Sequence, residues 1–355
     1  MLDPAADLAG LFQAVVDIES VSGNEAALAD AVEQALRPYR HLEVSRQGNV
    51  VVARTDLGRP QRVVIAGHLD TVPLAGNLPS RREVRAGEPV LTGRGSVDMK
   101  GGVAVQIALA AALDQPRHDL CWLFYDNEEV AADKNGLGRL AAADPAQLAA
   151  DFAILMEPTA GLVEGGCQGS LRVVLETAGR SAHAARSWLG RNAIHGLGPA
   201  LAVLSSYSGR EIDVDGLPYR EGLNAVRVAG GLAGNVIPDK ASLEVNYRFA
   251  PDKTLAEAEA YVRSLFPGYA LRVVDAAPPA RPGLGSPLAA DFLAAVGQPA
   301  RPKYGWTDVA RFAALGVPAV NFGPGDPNLA HTDDEFAPLS QVTACRDALA
   351  DWLAP

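Results

Sequence analysis

Residues 119–125 read DLCWLFY and residues 151–156 read DFAILM. Runs as uniformly apolar as these leave no face for water. They suit strands buried on both sides, as in a mostly parallel sheet covered by helices. The β-branched runs VVVAR (50–54) and RVVIAGH (62–68) end in turn signals and read as further strands. GGVAVQIALAAAL (101–113) reads as a helix opening on two glycines, and residues 5–36 as mostly helix broken at SVSGNE. An α/β architecture is expected from this alternation.

From about residue 170 the texture changes. SLRVVLETAG alternates, NAIHGLGPALAVLSSY has helical periodicity, NAVRVAGG and ASLEVNYRFA alternate again, and TLAEAEAYVRSLF is helical. That order predicts a small α+β domain with one sheet face against helices. VVDAAPPARPGLG (273–285) is rich in proline and glycine and reads as a linker. PLAADFLAAVG, VPAVNFGPG and a final helix then return to the first texture. The expected organisation is a larger domain of residues 1–169 and 283–355, interrupted by an inserted domain at 170–282. No internal repeat or low-complexity tract is evident.

Ligands of open α/β sheets bind beyond the carboxyl ends of the strands. Those ends carry a biased set of residues here: His68 and Asp70 after RVVIAGH, Asp98 before the glycine-led helix, Glu128 and Glu129 after DLCWLFY, Glu157 after DFAILM, and His331 in GPGDPNLAHTDDE. Each alone has an ordinary structural explanation, such as a satisfied histidine, an N-cap or a turn residue. Together, two histidines and several carboxylates would repel as a cluster of negative charge. One divalent metal, or a pair sharing a bridging carboxylate, resolves this. Imidazole and carboxylate without thiolate fit zinc, cobalt or manganese rather than calcium. Such ions polarise a carbonyl and make hydroxide at neutral pH. In His68-Leu69-Asp70, residues i and i+2 of a strand face the same way, so one can ligate while the other orients the imidazole. Side chains of Glu128 and Glu129 are expected on opposite faces of an extended chain, and so in different jobs.

GHLDTVP, GRGSVDMKGG, YDNEEV, LMEPT and AHTDDE, in this order and spacing, resemble the motifs of the dinuclear zinc aminoacylase/carboxypeptidase (M20) family of metallopeptidases. The resemblance covers almost the whole chain. It implies a mostly parallel-sheet zinc-peptidase catalytic domain, with the inserted α+β, ferredoxin-like domain as lid and dimerisation module. It also implies two zinc ions per subunit, with cobalt or manganese as substitutes. His68 and Glu157 would hold one ion, Glu129 and His331 the other, and Asp98 would bridge. Asp70 would orient His68, and Glu128 would be the general base. In the lid, His183 of SAHAAR would donate to the oxyanion from the partner subunit. Asn235 and Arg248 would contact substrate, with Arg186 a weaker candidate for the same anion. Within the family, the lid and residues 305–325 are similar to members that release succinate from an N-succinylated diamino diacid. Deacetylases, aminoacylases and dipeptidases share the same metal motifs. GWTD (305–308) departs from some members by its tryptophan, so their substrate contacts do not carry over directly; Gly305 and Thr307 are candidates there.

The remaining features narrow the class. A net charge of −11 disfavours sequence-independent nucleic-acid binding. It also means an anionic acyl-amino-acid substrate needs local arginines. The three cysteines, Cys121, Cys167 and Cys345, form no CxxC pair and read as thiols in a reducing compartment. MLDPAADLAG lacks the basic stretch and apolar core of a secretory signal, and GVAVQIALAAAL is too short to span a membrane. A cytoplasmic homodimer is expected. No GxSxG marks a serine hydrolase, and no GxGxxG follows a strand. A non-catalytic binding module would be signalled by loss of Glu128 or a ligand, and none is lost.

Overall fold

The structure is a computed structural model and describes residues 2–355. It forms two compact units. One comprises the residues up to Gly165 with Pro282–Arg301 and Thr307–Pro355; the other comprises Gly166–Arg281 with Pro302–Trp306. Among the described residues no helix is long and apolar enough to cross a membrane.

The first unit is built on an eight-stranded sheet. At its centre the strand Arg62–His68 runs parallel to Asp119–Tyr125 on one side and to Phe152–Leu155 on the other. Ala319–Asn321 extends the parallel set beyond Phe152–Leu155. All seven residues of Asp119–Tyr125 are buried, as the unbroken apolar run requires. The helix Lys100–Ala112 contributes ten buried residues. The chain leaves the His68 strand for the neighbour on one side and later crosses to the other. The strand order therefore reverses at His68, which is where an open α/β sheet leaves a crevice.

The last helix, Leu339–Leu353, is pinned by its far end. The ring of Trp352 lies 4.9 Å from that of Phe292 and 6.1 Å from that of Phe152, centroid to centroid. Full burial of one such side chain stabilises by about 2–3 kcal/mol. A three-stranded sheet joins this helix to the site. Phe336–Pro338 pairs with Glu88–Thr92, which also pairs with Arg81–Arg85. No element was expected from the sequence there.

In the second unit the sheet order is Gly222–Gly230, Lys240–Phe249, Gly169–Ala178, Ala270–Ala277, all antiparallel. Numbered along the chain, this is the 2-3-1-4 arrangement of a ferredoxin-like fold. Leu171, Val173, Leu175, Leu243, Val245 and Tyr247 form its inner face. Helices Gly198–Ser206 and Leu255–Leu265 cover that face with Ala200, Ala258 and Val262. The second helix begins with a capping box. Thr254 Oγ1 accepts from the Glu257 amide, and the Glu257 carboxylate accepts from the Thr254 amide.

Two local features differ from the sequence reading. Residues 273–277, read as the start of a linker, are the end of a strand, with Val273 opposite Val173. Prolines and glycines begin only at Pro278, and the alternation of Leu271 and Val273 into the core decides the first part. The hairpin of Glu211–Val214 with Leu217–Arg220 was not expected from the sequence either. Its turn is Asp215-Gly216, with φ of 52° and 85°. That dipeptide was the available signal, because such a turn needs positive φ at both central residues.

Candidate metal centre

The ends of the central strands bring most of the expected residues together. His68 is the last residue of its strand and its side chain is buried. Asp98 lies in the turn before helix Lys100–Ala112, and its two oxygens address two different histidines. Oδ1 is 3.0 Å from His68 Nε2, and Oδ2 is 3.4 Å from His331 Nε2. His331 Nε2 is also 2.8 Å from Glu129 Oε1. The cluster thus runs His68, Asp98, His331, Glu129, with Asp98 at the bridge. His331 reaches it from a loop in which its own φ is +65°, an uncommon conformation for a non-glycine residue.

Glu157 sits just past the Phe152–Leu155 strand and is buried. It lies close enough for its charge to raise the Glu128 carboxyl. The backbone there is closely nested. A Cβ on Gly323 would lie 2.3 Å from the Met156 carbonyl oxygen and 2.7 Å from that of Glu157. One on Gly102 would lie 2.4 Å from the same Met156 oxygen. Only glycine permits this approach.

Glu128 and Glu129 do not belong to a strand. Regular pairing ends at Tyr125, and Asn127 turns the chain with φ of +59°. The expectation of opposite faces set by strand geometry is therefore corrected. The separation of the two carboxylates is made by a tethered turn. Asp70 Oδ1 accepts from the Glu128 amide at 2.9 Å, and Oδ2 accepts from the Glu129 amide at 3.0 Å. Glu25 Oε1 accepts from the Asn127 amide at 3.2 Å. Three consecutive N–H groups are thus held by two buried carboxylates. Ser22 Oγ donates to Asp70 at 2.7 Å and fixes it in turn. Asp70 also faces His68, but the shorter contact from Nδ1, 3.0 Å, is to the Asp70 backbone carbonyl, while Oδ1 is 3.5 Å away. That carbonyl can only accept, so in the neutral ring Nδ1 carries the proton and Nε2 has its lone pair free for the cluster.

The electrostatics are those of a cation site. Burial opposes the imidazolium of His68, yet Asp70 and Asp98 outweigh it and raise its pKa well above the ordinary value. Asp98 and Glu129 raise His331 to about 10 against a smaller burial effect. Asp98 is burdened by burial but held well below the usual carboxylate range by the two histidines. Burial chiefly raises Glu128 well above its usual value, against the pull of His68 and with help from Glu157, Asp308 and Glu129. The histidine protons are attracted to lone pairs for which a divalent cation would compete. His68, Asp98 and Glu129 each offer a ligand atom within 4.8 Å of the others. This mixed nitrogen and oxygen donor set fits zinc, cobalt or manganese.

The expected lid residues fall into two places. His183 pairs with Val236 in a two-residue ladder, and the Asn235 carbonyl accepts from the Ala184 amide at 2.8 Å. His183 Nδ1 accepts from the Ala185 amide at 3.1 Å, so in the neutral ring the proton is on Nε2. Arg248 lies near the other end of the Lys240–Phe249 strand, opposite Ser170 and Gly222. At about 3.4 Å per residue, Lys240 and Arg248 are separated by about 27 Å. Burial lowers the Arg248 pKa, with Asp275 opposing. Arg186 lies in the irregular turn after His183. Thr307 Oγ1 donates to Asn321 at 2.8 Å.

Sequence reasoning did not assign Glu25, Ser22, Arg94 or Glu335. All four lie inside the stretches SVSGNE, GRGSVDMKGG and AHTDDE. Their partners are distant in sequence, and no local pattern reports them.

Residues 64–354 match the family described as Peptidase family M20/M25/M40. A Mycobacterium tuberculosis protein provisionally named succinyl-diaminopimelate desuccinylase DapE is 56% identical over 356 residues, covering 99% of each chain. A Corynebacterium glutamicum protein named succinyl-diaminopimelate desuccinylase is 46% identical over 368 residues, again covering 99% of each. Among solved structures, the Bacillus subtilis YXEP protein, described as a dinuclear metal binding peptidase of the M20 family, aligns with a TM-score of 0.70 at 17% identity. That alignment covers 97% of this chain and 96% of the other.

Proposed function

The chain belongs to peptidase family M20/M25/M40, and from that premise we propose that it is a metal-dependent amide hydrolase cleaving N-succinyl-LL-2,6-diaminopimelate to succinate and LL-2,6-diaminopimelate. The observation that carries the chemistry is the Asp98 carboxylate, with one oxygen toward each of two histidines. The choice of substrate is supported by the names of relatives that align along nearly the full length of both chains.

His68 and Glu157 are assigned to one metal ion, Glu129 and His331 to a second, and Asp98 to both. We take the ions to be zinc, with cobalt or manganese as substitutes. Bound there, they would polarise the scissile carbonyl and acidify a water. Asp70 holds the turn that presents Glu128 and Glu129 and backs His68. Glu128 takes a proton from the attacking water and later delivers one to the leaving amine. His183 donates from Nε2 to the developing oxyanion. Arg248 binds a substrate carboxylate with its planar fork, and Asn235 contacts the same ligand.

His183 pairs with Val236, four residues before the Lys240–Phe249 strand begins, whereas Arg248 lies one residue from that strand's end. We therefore assign His183 and Asn235 to the site of a partner subunit, in a homodimer formed through the lid. The outer lid strand supports this. Gly222–Gly230 is an edge strand whose Val226 and Val228 are 55% and 61% exposed, and an apolar edge of this kind invites pairing. Three buried free cysteines are consistent with a reducing cytoplasm.

The deciding experiment compares kcat/KM of the zinc-loaded protein for succinyl-diaminopimelate, acetylornithine and simple N-acyl amino acids. The succinyl substrate is expected to be preferred by at least about 100-fold, well within the roughly 10⁴–10⁵-fold that a site built for polar groups its rivals lack can reach. A higher kcat/KM for acetylornithine would overturn the assignment. Separately, mixing Glu128→Gln and His183→Ala chains under subunit exchange is expected to restore up to about a quarter of wild-type activity, since one site in four of a statistical mixture combines both intact residues. No recovery on mixing argues against a shared site.

A further inference from the structure

Glu335 lies four residues after His331, and its side chain is 1% exposed. Its Oε1 accepts from the amides of Val97 at 2.9 Å and Asp98 at 3.1 Å. Its Oε2 accepts from Arg94 Nη1 at 3.0 Å. The guanidinium, itself buried, also donates to the Thr332 carbonyl at 3.0 Å and, from Nε, to the Pro73 carbonyl at 3.1 Å. The Glu335 carbonyl accepts from the Gly93 amide at 3.0 Å. One buried ion pair therefore touches three segments: the one following Asp70, the turn carrying Asp98, and the loop carrying His331.

A buried ion pair is weak evidence of stabilisation, because desolvating both charges offsets most of their attraction. Its placement has a sharper consequence. The Asp98 carboxylate can face His68 and His331 at once only if its backbone is fixed relative to both loops. Glu335 fixes the Asp98 amide directly, and Arg94 fixes the carbonyl next to His331. We propose that Glu335 and Arg94 are positioning residues that jointly set the distance between Asp98 and His331, and with it the spacing of the two metal positions. The inference rests on the metal-site reading above.

The test uses the full chain and Co²⁺ as the probe. Affinity is measured by titration calorimetry and ligand geometry by the visible absorption of bound Co²⁺. Glu335→Gln keeps size and one acceptor but loses the charge that Arg94 needs; Arg94→Lys keeps charge but loses the fork. Each is expected to weaken binding of the second Co²⁺ by about 10–100-fold, the usual effect of removing a group that orients a ligand. Each should also alter the visible spectrum and lower kcat while KM stays within about threefold. The double variant should be no worse than the poorer single, since the pair acts as one unit. Wild-type Co²⁺ affinity and spectrum in folded Glu335→Gln would leave the pair a stabilising role only and overturn the proposal. Should Glu335→Gln not fold, Arg94→Lys carries the same readouts and decides the proposal in the same way. If the unsubstituted protein binds no Co²⁺, the metal-site reading fails as well; if it binds Co²⁺ and the variants match it, only the positioning proposal fails.

Discussion

Glu128→Gln will keep its metal and lose its turnover. The substitution preserves shape and hydrogen-bonding reach but removes the ability to accept and return a proton. kcat is expected to fall by about 10²–10⁴-fold, the span seen when a general acid–base is removed. Metal content should not change, because the turn is held through its backbone rather than through the Glu128 side chain. Asp70 grips the amides of residues 128 and 129, and Glu25 grips that of Asn127. Glu129→Gln is the natural contrast. Its carboxylate meets His331, so the same change one residue along should cost metal first and rate as a consequence. Steady-state kinetics and elemental analysis of dialysed protein separate the two. A kcat within about fivefold of wild type for Glu128→Gln, far short of what loss of a general base produces, would remove Glu128 from that role.

Asp98→Ala will have the broader effect. It removes the one carboxylate whose oxygens face both histidines. The loss of metal affinity should exceed the 10–100-fold that follows removal of an outer partner, and both ions should be lost on dialysis. Activity should fall below detection. The histidines should also change in the metal-free protein. Asp98 helps to raise the pKa of both His68 and His331, so without it both rings should lose their proton at lower pH. Proton NMR of the imidazoles reads this directly. His331→Ala should be milder, lowering the metal content by one ion per chain. Two ions retained through dialysis by Asp98→Ala would contradict the bridging assignment.

Much of this was legible in the linear chain for a simple reason. Strands covered on both faces must be apolar throughout, so DLCWLFY and DFAILM announce themselves. The residues just beyond them are set by position rather than by packing, so a histidine or carboxylate there stands out. Alternation and helical periodicity marked the second unit in the same local way. Where the chain was misread, a long-range pairing outweighed local composition. Val273–Ala277 resembles the start of a linker until it pairs with the strand at 169–178. Glu128 and Glu129 resemble a strand end until Asp70, 58 residues earlier, draws their amides into a turn.

The sequence alone determined the kinds of chemistry available: which residues can bind a cation, which can move a proton, and that they sit at the ends of buried strands. Only the tertiary structure decided how they are used. It placed one Asp98 oxygen against each histidine, turned Asp70 from a neighbour of His68 into the anchor of the Glu128–Glu129 turn, and joined Glu335 to the Asp98 amide across 237 residues. The physical reason is one of range. Burial pattern and turn chemistry act over a few residues and are written locally. Hydrogen bonds between distant loops exist only once the sheet has set those loops side by side.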